Sequence, residues 1–339
     1  MGDGNRSCVK PETLGNKLAG LFFPHLRVYD MRRVVILNPR SKNGASLKAF
    51  NKLKPDLHKL LGPFEVYQTK APRDATEQVR SVLKQGSFDQ ILIAGGDGSI
   101  NEAVNGYFHE GKLLRADIPL GVINLGTGGD FYKTLLRDSS NYQEALSQNR
   151  LRMVDCGLTT LEKGLDPQYF INITSIGLGG DVNRQMKASS FQSGMPAYFY
   201  HSLTSLLKYS PPNCKFIMKD KEGKTTEIET GLVNFFVCNA EFNGGGMRWA
   251  PESDIEDGVF DLVLVSNVPK HKLITESHKI YSGKIREMTG VQEFHASEVI
   301  ALPERTVSQE IDGETRDMDH LRTHEFHFKI VPRSLPLVL

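Results

Sequence analysis

The run Ile91–Gly106, ILIAGGDGSINEAVNG, sets four apolar residues directly before Gly-Gly-Asp-Gly and opens a polar-capped helical pattern after it. Glycines at a strand end let the backbone take positive φ and approach a ligand closely. Backbone N–H groups there, with Ser99 and the start of the next helix, form an anion site backed by the helix dipole. A carboxylate is of little use for holding phosphate alone. Asp97 fits such a loop if it orients Mg²⁺ or accepts a proton from an attacking hydroxyl. A tight turn with an Asx cap is the plainer alternative, so the loop does not decide the matter by itself. Two further segments change the balance. PLGVINLGTGGDF (Pro119–Phe131) is again a strand ending in glycines, with Thr127 and Asp130 inside, and NPRSKNG (Asn38–Gly44) ends an earlier strand. Three loops rich in Gly, Asn and hydroxyls at strand ends point to a nucleotide phosphate site.

The elements that must position these loops follow from periodicity. RRVVILN reads as a buried strand, ASLKAFNKLKPDLHKLL as a helix disturbed at Pro55, FEVYQT as a strand and DATEQVRSVLKQ as an amphipathic helix. QILIAGG, INEAVNGYF and PLGVIN continue the alternation of strand, helix and strand. Continuously apolar strands separated by helices argue a parallel sheet covered on both faces, which binds ligands at the carboxyl ends of its strands. After about Arg150 the texture changes. MVDCGLTTL, QYFINITSIGL, CKFIMKD, TTEIETG, LVNFFVCN and GVFDLVLVS are short strand-like runs, with KDKEGKTTE turning between two of them as a hairpin. Helical insertions are expected near Pro196–Tyr209 and Lys270–Ile280, and the half reads as an antiparallel sandwich or barrel.

NPRSKNG, GGDGSINEAVNG and LGTGGDF, in this order and spacing, resemble the diacylglycerol kinase catalytic domain family, which includes bacterial lipid kinases, sphingosine kinases and ceramide kinases. The resemblance continues through FINITSIGLGGDV, NGGGMRWAPESDIEDGVFDLVLV and IDGE, from about Met31 to the C-terminus. It implies a phosphofructokinase-like (NAD kinase-like) α/β domain over 31–150, followed by an antiparallel β-sandwich domain over 151–324. Residues 325–339 would return to the first domain, and 1–30 would be an extension. The implied activity is transfer of the ATP γ-phosphoryl group to a primary hydroxyl of a membrane lipid in the inter-domain cleft, with Mg²⁺. Gly95, Gly96, Asp97, Gly98, Ser99, Ile100 and Asn101 would bind ATP, together with Asn38, Thr69 and Thr127. Asp181 would meet the lipid head group. Asp254, Asp257 and main-chain carbonyls including that of Val259 would hold a structural Mg²⁺. Asp312 and Glu314 of IDGE would reach the active site, where Glu314 and Asp97 are rival candidates for the general base.

The chain departs from the family's pattern at three positions. Gly129 replaces an Asn, Asn124 stands where Pro is usual, and Ser99 replaces a Thr while keeping the hydroxyl. Loss of the amide at 129 keeps open a catalytically silent lipid-binding homologue. A NAD kinase, which shares Gly-Gly-Asp-Gly, is a further alternative, but it has no need of LGTGGDF, GGGMRWAP and IDGE.

Composition narrows the rest. The 339 residues suffice for about two domains at roughly 150 residues each. A formal net charge of +1 offers no bulk argument for nucleic acid, and none is expected as a partner. Residues 1–70 hold 13 Lys and Arg against 5 Asp and Glu, a basic region that favours anionic surfaces. With the apolar LAGLFF of the first thirty residues, it is a candidate contact for peripheral membrane docking, beside the plainer alternatives of scattered surface lysines and of an apolar patch packed on the body. Four dispersed cysteines form no CxxC pair, no run reaches the ~18 apolar residues of a spanning helix, and Arg6 breaks the myristoylation pattern. A cytoplasmic, peripherally membrane-associated protein is expected, for which a homodimer stays open. GYFHEGKL lacks the Ser or Thr of a P-loop, GLGGDV lacks the third glycine of a dinucleotide fingerprint, and His324 and His327 alternate on a strand rather than share a metal.

Overall fold

The computed structural model describes residues 31–139, 141–188, 201, 204–266, 268–316 and 324–339. Four parallel strands come first: β1 (Arg33–Leu37), β2 (Phe64–Gln68), β3 (Gln90–Gly95) and, after the two-residue hairpin strands β4 (Phe108–His109) and β5 (Lys112–Leu113), β6 (Leu120–Asn124). They lie side by side in the order β2-β1-β3-β6. Every residue of β1 and β3 is buried, which explains their unbroken apolar sequence. Even the one charge among them, Arg33, is fully inside. Its guanidinium donates to Gln90 Oε1 (2.7 Å), Leu61 O and Ser147 O (3.0 Å), tying two strands to the helices beside them.

The helices α1 (Ser46–Leu61), α2 (Asp74–Gln85), α3 (Asp97–Tyr107), α4 (Asp130–Asp138) and α5 (Tyr142–Gln148) cover this sheet. Contrary to expectation, α1 runs unbroken through Pro55. Pro55 is exposed, so water can satisfy the carbonyl left without an intrahelical donor.

The second half is the antiparallel sandwich that the short strand-like runs announced. Its strands are β7 (Leu151–Leu161), β8 (Leu165–Phe170), β9 (Ile173–Gly177), β10 (Asn213–Lys219), β11 (Thr225–Cys238), β12 (Phe242–Asn243), β13 (Met247–Arg248), β14 (Phe260–Ser266), β15 (Val291–Ala296), β16 (Glu298–Pro303), β17 (Gln309–Ile311), β18 (Glu314–Thr315) and β19 (Phe326–Val338). A core of Phe170, Phe216, Phe235, Phe260, Phe326 and Phe328 fills it. Two expectations shift here. QYFINITSIGL divides into β8, which pairs with β7, and β9, which pairs with β11 and β17. TTEIETG and LVNFFVCN instead fuse into the single strand β11, which pairs with β10 along its first half and with β9 and β14 along its second.

A helix that periodicity did not announce, α6 (Leu178–Ala188), follows β9. The expected insertion near Pro196–Tyr209 is helical over 204–208, and its residues 196–200 lie outside the described residues, as does LAGLFF. The insertion near Lys270–Ile280 is present as Lys270–Glu276 and His278–Tyr281.

One strand pair spans both halves. β19 runs antiparallel to β7 along its length, pairs with β16 through Phe326–Lys329, and reaches β6 in parallel at Leu337. Its register shifts between Val331 and Leu335, where it passes from one half to the other. Asp155 of β7, fully buried, holds that shift: Arg333 N–H donates to Oδ1 (2.7 Å) and Gly258 N–H to Oδ2 (2.6 Å).

Candidate active site

The carboxyl ends of the parallel strands stand abreast. Asn38, just past β1, donates its N–H to Ala94 O and its Nδ2–H to Ser99 Oγ, each at 2.9 Å. Thr69, buried just past β2, donates its N–H to Leu37 O (2.9 Å), and Leu125, past β6, donates to Gly95 O (2.8 Å). The glycines here serve close approach. None of Gly95, Gly96 and Gly98 takes positive φ, contrary to the sequence reading. A Cβ on Gly95 would meet Ser99 Oγ at 2.4 Å, one on Gly98 would meet Glu314 Oε1 at 3.0 Å, and one on Gly126 would meet Gly96 Cα at 2.5 Å. Gly96 and Gly126 therefore bring two loops together backbone against backbone, which no side chain would allow.

Asp97 opens α3. Ser99 and Ile100 N–H already donate to Gly96 O (2.9 and 3.1 Å), and the Ile100 side chain is packed in the core. The Asp97 and Gly98 N–H groups have no acceptor among the described residues. They are the unsatisfied donors of a helix start, suited to an anion. The Asp97 carboxylate turns to the next loop and caps α4, accepting from Asp130 N–H (3.2 Å) and Phe131 N–H (3.1 Å). Burial and the adjacent Asp130 raise its pKa above the ordinary carboxylate value, against those two N–H groups and Lys133. Asp130 in turn accepts from Lys133 Nζ and from Gly245 N–H, each at 2.7 Å, which hooks the β12–β13 hairpin to α4.

From the sandwich side comes the β17–β18 turn. Asp312, at φ 48°, is buried, and it accepts from Asn101 Nδ2 (2.9 Å), Ile171 N–H (3.0 Å) and Asn172 N–H (2.9 Å). Those last two bonds turn the backbone aside between β8 and β9, which is why that apolar run divides. Burial pushes the Asp312 carboxyl up to about 6. Two residues earlier, Glu310 accepts from Asn243 Nδ2 (3.0 Å) and Ser175 Oγ (3.4 Å), and burial lifts it to about 7. Two residues later, Glu314 is exposed and lies against Gly98 at the start of α3. Asn105 completes the docking, since its amide exchanges two 2.9 Å hydrogen bonds with the Tyr169 backbone.

The structure thus brings Asn38, Thr69, Gly95, Gly96, Asp97, Gly98, Ser99, Asn101, Asp312 and Glu314 into one neighbourhood, with Thr127 exposed on the adjoining loop. Asp181 belongs to a different wall. It accepts from Ser308 Oγ (2.5 Å) and lines a polar cavity of ≈ 440 Å³ with Lys208, Tyr209 and Arg305. Asp254, Asp257 and Val259 are also elsewhere, beside Asp155 at the β7–β19 crossing. Asp254 and Asp257 accept from the N–H groups of Glu256 (2.9 Å) and Val259 (3.0 Å), and Lys221 Nζ donates to the Asp257 carbonyl. Among the described residues no three His, Cys, Asp or Glu side chains are grouped as metal ligands. Burial, and after it the charges of Asp257 and Asp254, raise the Asp155 pKa above the ordinary carboxylate value.

Sequence reasoning passed over Glu310, Asn243, Asn105 and the capping role of Asp97. One signal was available. Glu310, Asp312 and Glu314 repeat at the period of two that puts side chains on one face of a strand. Asn105 and Asn243 had none, because their partners are 64 and 67 residues away.

Comparison with known proteins gives consistent matches. A family model described as the diacylglycerol kinase catalytic domain matches residues 32–159, and one described as the YegS C-terminal NAD kinase beta sandwich-like domain matches 172–339. A diacylglycerol kinase of Bacillus subtilis is 30% identical over 248 residues, which cover 69% of this chain and 73% of that one. A diacylglycerol kinase of Mycobacterium tuberculosis is 25% identical over 279 residues, covering 81% and 86%. A probable lipid kinase YegS-like of Alcanivorax borkumensis is 28% identical, covering 57% and 60%. The crystal structure of a putative diacylglycerol kinase from Bacillus anthracis shares the fold, with a TM-score of 0.66 at 20% identity over 91% of this chain and 96% of that one.

Proposed function

Because the chain belongs to the diacylglycerol kinase and lipid kinase family and is a kinase, we propose that it transfers the γ-phosphoryl group of ATP to a primary hydroxyl of a membrane lipid, in the cleft between its two halves. The observation that carries this reading is Glu314. A turn of the sandwich sets it against Gly98, at the helix start where three glycine-rich strand ends meet. The Asp97 and Gly98 N–H groups and the start of α3 receive phosphate oxygens, and the loop past β6 closes on them. Glu314 accepts the proton of the lipid hydroxyl as its oxygen forms the bond to Pγ and the bond from Pγ to the β-phosphate oxygen breaks. Asp97, with both oxygens engaged in capping α4, positions the two loops. Most of the rate enhancement then comes from positioning and electrostatics.

Asp181 and its polar cavity receive the lipid head group. Lys208 lines that cavity, and its chain neighbour Leu207 is 61% exposed; the two would give a basic and an apolar contact for a membrane surface. No described helix is long and apolar enough to cross a membrane. Asp254, Asp257 and the Val259 carbonyl are the residues that would hold a structural Mg²⁺, which would offset the carboxylates gathered beside Asp155.

The test is transfer from γ-labelled ATP into diacylglycerol, sphingoid base, ceramide and phosphatidylglycerol in mixed micelles, with NAD as a soluble acceptor. Label in a lipid is the expected result and names the substrate. Label in NADP alone, or in no acceptor, overturns the reading.

A further inference from the structure

Gly129 and Asn124 compete for one corner of the loop past β6. Gly129 holds φ 58° at the start of α4, and a Cβ on it would lie 2.3 Å from Asn124 Nδ2 and 3.1 Å from Asn124 Cγ. Asn124 is the last residue of β6, and its Oδ1 accepts from Gly126 N–H (3.0 Å). That bond pins one end of the carboxamide across the loop and leaves the donor end over Gly129. Asn124 Nδ2 has no acceptor among the described residues, although Asn124 is only partly exposed. An oriented amide with its donor end unspent, between Gly96–Gly126 and the start of α4, is built to meet an acceptor from outside the chain.

We propose that Asn124 is a nucleotide-binding residue whose Nδ2–H donates to a phosphate oxygen of ATP, and that residue 129 is glycine because the Asn124 carboxamide fills the place of a side chain there. This rests on the ATP-dependent reading of the site. The two departures from the family pattern, Asn124 for Pro and Gly129 for Asn, then become one exchange. The amide is retained and enters the same corner from the strand end instead of the helix start. Gly129 is accordingly no mark of a silent relative.

The decisive variant is Asn124→Asp. It keeps an oxygen for Gly126 N–H and sets a carboxylate oxygen where the donor was. ATP binding, measured by calorimetry without lipid, should weaken roughly tenfold or more, the range for losing a hydrogen bond to a charged group. The KM for ATP should rise more than kcat falls, at an unchanged thermal midpoint. Asn124→Ala should also bind weakly. Asn124→Ala combined with Gly129→Asn should recover to within about threefold of the unaltered protein, because Asn tolerates the left-handed conformation at 129. Wild-type affinity in Asn124→Asp, or a double variant no tighter than Asn124→Ala, overturns the proposal. An unaltered protein that binds ATP but labels no lipid fails the kinase reading while leaving this inference standing.

Discussion

Asp97 and Glu314 are both carboxylates at the start of α3, yet their surroundings assign them different work. Both oxygens of Asp97 accept from the first turn of α4. Asn there keeps only one acceptor and adds a donor facing two N–H groups. Asp97→Asn should lower stability by about 1–2 kcal/mol, the range for a lost helix cap, and should weaken ATP binding as the loops separate. Glu314 is exposed, so Glu314→Gln should leave the urea midpoint and ATP affinity in place while kcat falls roughly 10²-fold or more. Equal losses of stability in both variants would refute this division. The sequence made both residues legible as candidates because each sits in a glycine turn. It could not rank them, since the ranking lies in the backbone of α4 more than thirty residues beyond Asp97.

At the scale of elements, the parallel strands were readable because burial on both faces writes an unbroken apolar run, as in β1 and β3. The sandwich strands were less so. β8 and β9 read as one strand because the interruption comes from Asp312, 140 residues from Asn172, and has no local mark. β11 read as two because Gly231 looks like a boundary, whereas the strand passes through it from one layer to the next. The β7–β19 crossing depends on such a remote contact as well. Asp155 accepts there from Arg333 and Gly258 N–H groups without exposure to water. Asp155→Asn leaves one of these buried donors without an acceptor, and should cost about 1–3 kcal/mol in urea unfolding. If Mg²⁺ sits at Asp254 and Asp257, EDTA should lower the thermal midpoint of the unaltered protein, and added Mg²⁺ should restore it. A midpoint indifferent to both would remove the metal from that segment.

Over the whole molecule, hydrogen bonds close a ring around the candidate site. Asp97 caps α4, Asp130 of α4 holds the Gly245 loop, and Asn243 of that hairpin holds Glu310. β17 carries Glu310 on to Asp312, and Asn101 of α3 donates to Asp312. The two halves therefore meet through buried carboxyls, and pH should register it. Burial raises Glu310 to about 7 and Asp312 to about 6, from ordinary values of 4.5 and 3.8. Between the ordinary and the raised values the folded chain binds more protons than the unfolded chain. Stability is therefore fully present below about pH 4 and falls as pH rises toward 7. The two groups titrate as a coupled pair, each retained proton contributing a slope of up to about 1.4 kcal/mol per pH unit. Glu310→Gln keeps a neutral group on Asn243 and Ser175 at every pH. Urea unfolding across pH 4.5–7.5 should therefore show a shallower decline in that variant than in the unaltered protein, with the curves converging at the acid end. Parallel curves would mean that Glu310 is not the group whose ionisation loads the junction.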